Sequence, residues 1–159
     1  MMRNASRNLT AAAIFLLVSG ALAALASDDP PKKGPDRALI GSYEAIRQAF
    51  RTRQVSHLSP ILPSAGKVYL SVKLIAVEPG YYSRDQVEAL IRQAFSAIQT
   101  VRFHINMDLD DEGGSERSVV VCPALWSYTS KGVRGDVNLR FLLSRQQDHW
   151  MLAEIRETR

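Results

Sequence analysis

From Arg102 onward the chain alternates apolar and polar residues in runs joined by short turns, and no segment after Ile98 carries a helical period. Phe103, Ile105, Met107 and Leu109 alternate with Arg102, His104, Asn106 and Asp108. Val137, Leu139, Phe141 and Leu143 recur at every second position, and "HWMLAEIRE" leads to the C-terminus. A period of two sends successive side chains to opposite faces of a strand. Antiparallel neighbours can be joined by a tight turn, whereas parallel ones need a crossover of about a dozen residues. With "DDEGGSE", "SKGVRG" and "RQQD" as connections, this half of the chain is predicted to form an antiparallel meander.

A sheet with one apolar face needs a cover, and the preceding residues supply it. Leu39, Tyr43, Ile46 and Phe50 recur at helical spacing behind Asp36, a candidate N-cap. "VSHLSPILP" suggests a short second helical turn, with Leu58, Ile61 and Leu62 apolar and Pro63 as its stop. Between Lys67 and Glu78 the period changes to two: Val68, Leu70, Val72, Leu74 and Ala76 share one face of an expected strand, closed by a turn at Pro79-Gly80. Ser83 and Gln86 then have the spacing of a capping box, and Tyr82 and Val87 that of a hydrophobic staple. Val87, Leu90, Ile91, Ala94, Phe95 and Ile98 form the apolar stripe of the helix behind it.

"IRQAF" occurs in both long helices, at 46–50 and 91–95. A helical repeat protein would show further copies with no strand between them. Here a strand separates the two copies and only strands follow, so the segments belong to one domain.

The first 26 residues have the pattern of an export signal: Arg3 and Arg7 ahead of an apolar stretch from Ala11 to Leu22, then Ala24-Leu25-Ala26 as a cleavage site. A retained anchor is the alternative, but the apolar run falls short of the ~20 residues that span a bilayer. Cleavage would leave Ser27 at the N-terminus, a charged, Pro-rich leader over 27–36, and a single domain over 37–159. The formal charge of +4 includes Arg3 and Arg7, and all acids follow Ala26, so the cleaved chain carries +2. Its basic residues are scattered, which argues against nucleic acid as a partner. Cys122 is the only cysteine and lies in an apolar run, as a buried small hydrophobe would.

The order of helix, short helix, strand, capped helix and meander resembles the nuclear-transport-factor-2-like (cystatin-like, cone-shaped α+β) superfamily. It is most similar to a group of exported bacterial proteins of undefined function within it. "GYYSRDQVEALIRQAF", "YTSKG" as a hairpin turn and "HWMLAEIRE" carry the likeness, which covers Arg37 to Glu157. The resemblance implies two to three helices packed on a curved antiparallel sheet. Val133-Arg134-Gly135-Asp136 departs from the pattern by lengthening the hairpin. Enzymes on this fold move protons with a buried Asp or a His-Asp pair, and Tyr43, Tyr69, Asp136 and His104 are the only matching raw materials here. They stand in no catalytic motif, so no catalytic residue is assigned.

Metal and cofactor sites are not expected. Asp108, Asp110, Glu112 and Gly113 occupy positions of a calcium loop, but its twelfth position is Val119 and a strand precedes it. His57, His104 and His149 lack zinc spacing. What remains is a secreted or periplasmic, non-enzymatic binding or scaffold domain, with a small apolar ligand expected in its cone or a protein, a second copy of the chain included, on its sheet face. An isomerase or hydrolase using a carboxylate or His in the cone is the competing reading.

"SVVVCPALW" favours the sheet face. Val119, Val121 and Leu125 lie on one side of this strand and Val120, Cys122, Ala124 and Trp126 on the other, so both faces are apolar. A solvent-facing antiparallel strand would alternate with polar residues. If Lys131-Gly132 make a two-residue turn, Trp126 falls opposite Val137 and Ala124 opposite Leu139, and that set is the core. Val119, Val121, Leu125 and Leu142 then point outward. They are read as a homodimer or partner interface; the alternative is a bulge at Pro123 with the outer residues under a loop or the leader.

Overall fold

The computed structural model describes residues 36–106 and 118–159. Its six strands are β1 (Val68–Ser71), β2 (Gly80–Tyr82), β3 (Gln99–Ile105), β4 (Val119–Ser130), β5 (Val133–Gln146) and β6 (His149–Thr158), in the sheet order β2-β1-β6-β5-β4-β3. The expected meander is β3 to β6, each strand antiparallel to the next. The sheet as a whole is mixed, because β1 lies beside β6 and parallel to it, with Leu70 opposite Ile155. The chain between them is long enough for the crossover a parallel pair requires. Met107, Leu109 and the acidic calcium-like loop fall outside the described residues.

Helices α1 (Arg37–Thr52) and α2 (Arg84–Ala97), with a 3-10 helix at Val55–Ile61, cover one face of the sheet. Asp36 caps α1: its Oδ1 accepts from Ala38 N at 3.0 Å and Leu39 N at 3.2 Å. Its Oδ2 accepts from the Trp150 indole at 2.8 Å, and the Ser42 hydroxyl donates to the Trp150 carbonyl at 3.1 Å. One carboxylate therefore both starts the helix and fastens it to β6. Ser83 and Gln86 form the expected capping box around the start of α2. Its firm half is the Ser83 amide donating to Gln86 Oε1 at 2.9 Å; the hydroxyl half is looser.

Between sheet and helices the core is aromatic. The Phe50 ring lies 4.7 Å from Phe103, 5.0 Å from Trp126, 5.3 Å from Phe95 and 5.4 Å from Phe141, mostly edge-to-face. Edge-to-face rings at such distances gain beyond their buried area. The Trp126 indole donates to Thr100 Oγ1 at 3.1 Å, satisfying its one polar group.

Three local expectations need correction. The strand predicted over Lys67–Glu78 ends at Ser71, the last residue paired with β6, because the backbone turns away at Val72 while β6 itself runs on to Thr158. Beyond it the Val72 carbonyl accepts from Ile75 N and Ala76 N, a helical turn that buries Val72, Ile75 and Ala76 and leaves Leu74 half-buried. Pro79-Gly80 is likewise not just a turn: Gly80 opens β2, which pairs back on β1. Finally, Val133-Arg134-Gly135-Asp136 do not lengthen the hairpin loop but begin β5, since Ser130 pairs with Val133. The turn is Lys131-Gly132 alone, with φ of 49° and 78°. Positive φ at both positions marks the primed turn whose twist suits a two-residue hairpin.

Candidate functional site: the outer sheet face

With the β4–β5 register fixed, Trp126 faces Val137 and Ala124 faces Leu139 on the helix side. The opposite residues form rows across the outer face. One row runs Val121, Leu142, Glu154, Tyr69, Tyr81, and the next runs Pro123, Arg140, Arg156, Ser71. A third carries His104, Leu125, Asn138 and Thr158. Val119, Val121 and Leu125 remain 46%, 45% and 37% exposed; Leu125 is flanked by both β3 and β5, whereas Val119 and Val121 pair with β5 alone among the described residues. Leu142 beside them is half-buried. No bulge occurs at Pro123, which pairs in sequence with Arg140.

A bulge in β6 decides which charges reach this face. The register slips between Leu142–Glu154 and Leu143–Leu152, leaving Ala153 as the extra residue. An extra residue reverses the inward and outward phase of the strand. Trp150 and Leu152 point inward before it and Ile155 after it, so Glu154 and Arg156 turn outward. Glu154 Oε1 accepts from Arg140 Nη2 at 2.8 Å, and Oε2 accepts from Arg156 Nη2 at 3.2 Å. The Arg156 guanidinium lies 5.2 Å from the centre of the Tyr69 ring, which in turn meets Tyr81 edge-on at 5.1 Å. Beside this group is a shallow depression of about 220 Å³, lined among others by His104, Asn106, Leu125, Asn138 and Thr158.

The structure scatters the residues that could have formed a catalytic group. Tyr43 is buried on the helix side, its hydroxyl 3.5 Å from the Asn106 carbonyl. Tyr69, His104 and Asp136 occupy different rows of the outer face. His104 Nε2 lies 2.9 Å from Asn106 Oδ1, and His149 is exposed. Among the described residues, no three His, Cys, Asp or Glu side chains gather as metal ligands. Cys122 is buried under Tyr43; burial pushes its thiol up to about 11, partly opposed by the Tyr43 hydroxyl. Arg140, Glu154 and Arg156 were not singled out from the sequence. The available signal was the spacing Trp150, Leu152, Ile155, where a period of two takes one extra step.

No protein-family model and no curated protein matches the chain. Solved structures do. A DUF4783 family protein from Bacteroides uniformis is similar over 73% of this chain and 94% of its own, at TM-score 0.52 and 16% identity. A protein from Rhodopseudomonas palustris, provisionally named an isomerase, gives TM-score 0.53 at 16% identity over 76% and 87%. A protein with a cystatin-like fold from Caulobacter vibrioides gives 0.50 at 13% identity over 79% and 89%. The fold is the cystatin-like, nuclear-transport-factor-2-like α+β architecture. At these identities the likeness carries the fold and nothing of the chemistry.

Proposed function

We propose that the protein is an exported, non-enzymatic binding domain that engages a protein partner through the outer face of its sheet. The carrying observation is the exposed aliphatic strip of Val119, Val121 and Leu125, next to Leu142, on a face that the helices leave uncovered. Contiguous apolar surface rimmed by polar groups is characteristic of contact surfaces. The helix side supports the same reading from the other direction. There Phe50 is packed by four aromatic rings, and the buried side chains of the described residues include no carboxylate and no imidazole. Proton abstraction would require a positioned, desolvated base in that interior. Export rests on the n-region, apolar run and A-x-A pattern of residues 1–26.

The experiment is Val121→Glu in the mature chain, with association followed by light scattering at micromolar concentration. Val121 is exposed, so the variant folds with an unchanged melting midpoint while a charge enters the strip. Loss of association with the fold intact supports the reading, and a native dimer would identify the partner as a second copy. A chain that stays monomeric and whose binding to other proteins ignores the substitution contradicts it.

A further inference from the structure

Arg140 and Arg156 stand directly opposite one another on β5 and β6. Like charges at facing positions of a sheet repel. Glu154 lies between them and offsets one of the two charges; it is the only carboxylate paired with either among the described residues. The hydrogen bonding is also incomplete. Both Nε atoms are buried without an acceptor, and although Arg156 Nε comes within 3.1 Å of Glu154 Oε1 its hydrogen is not directed there. The Tyr69 ring and Glu154 hold the Arg156 fork in place before any ligand arrives. The excess extends over the face: Arg102, Arg134, Arg140 and Arg156 occupy outward positions in the ladder against Asp136 and Glu154.

We propose that Arg140 and Arg156 form a carboxylate-binding subsite for an acidic segment of the partner protein. This inference rests on the outer face being the working surface and adds the chemistry of what it receives. A carboxylate on the partner supplies the second negative charge that the guanidinium pair lacks, and paired forks favour planar carboxylates. Neighbouring rows of a sheet face are about 7 Å apart along the strand. An aliphatic side chain next to that carboxylate therefore reaches Val121 on one side or Leu125 and the depression on the other. The combination of aliphatic strip and arginine pair selects a segment in which Asp or Glu stands beside Leu, Ile or Val.

The test uses the mature chain and the capped peptide acetyl-Glu-Leu-Glu-Leu-Glu-amide, followed by the NMR signals of the arginine Nε–H groups and of the Val121 and Leu125 amides. Saturable shifts at these sites are expected, with binding about tenfold weaker for the Gln-Leu-Gln-Leu-Gln analogue. Arg140→Gln weakens binding of the acidic peptide. Glu154→Gln removes the competing carboxylate and strengthens it, a change of opposite sign that a structural role for the network would not produce. Equal shifts with the Gln peptide overturn the proposal, as does weaker binding by Glu154→Gln. Equal shifts with acetate or inorganic phosphate at matched concentration would reduce the site to a general anion contact and also overturn it. If the peptide fails while Val121→Glu still abolishes partner association, the acidic-segment inference falls and the outer-face reading stands.

Discussion

Asp36→Ala removes the cap of α1 and the acceptor of the Trp150 indole in one substitution. The cap accepts two amides, and its loss costs about 1 kcal/mol, within a range of roughly 0.5–2. The Trp150 side chain is buried, so its stranded N–H adds about 1–3 kcal/mol. Together the expected loss is about 2–4 kcal/mol. Asp36→Asn separates the two parts. Its amide oxygen still caps the helix, but its NH2 then confronts the indole N–H, so only the second part is lost. Denaturant unfolding followed by circular dichroism reads both, with an unchanged slope expected. The pH dependence gives a second reading. Burial raises the Asp36 pKa, but the bonds from Trp150, Leu39 and Ala38 and the charge of Arg145 outweigh it and hold the carboxyl below 3.8. A folded-state pKa below the unfolded one stabilises at pH values above the unfolded pKa, and that stabilisation disappears as pH falls through the folded value. The stability gap between the native chain and Asp36→Asn is therefore expected to narrow below about pH 4. An Asp36→Asn variant as damaged as Asp36→Ala, or a gap constant in acid, would refute the reasoning.

At α2, Gln86→Ala is expected to cost about 0.5–1 kcal/mol by freeing the Ser83 amide, and Ser83→Ala about 1 kcal/mol or less. An unmoved denaturant midpoint in both would remove the capping box from the account. Mass spectrometry of the mature protein should place its N-terminus at or next to Ser27, and intact Met1 in a membrane fraction would contradict export with cleavage.

Much of this architecture was legible because its signals are local. The cap residues Asp36, Ser83 and Gln86 act within one turn of helix, and Lys131-Gly132 fixes a hairpin register that propagates along all of β4 and β5. The aliphatic outer strip followed from that register alone. What escaped prediction depends on which neighbour a segment finds. The parallel pairing of β1 with β6 is a non-local event, and the length of β1 was overread because the alternation continues into the helical turn at Val72 that ends the pairing. Arg140, Glu154 and Arg156 were missed for a related reason. They share a face only because one unpaired residue, Ala153, shifts the phase of β6, and alternation counted from Trp150 would send Ile155 outward.

The central claim, that the outer face is where this protein meets its partner, is tested most directly by a photo-reactive residue at a single position. Val121→p-benzoylphenylalanine places it in the aliphatic strip, and Arg92→p-benzoylphenylalanine places it on the solvent side of α2, where the native side chain is 66% exposed. The account predicts a discrete adduct from position 121 on illumination in the producing cells, abolished when Leu125→Glu is added, and none from position 92. Adducts of equal yield from both positions, or from position 92 alone, would contradict it.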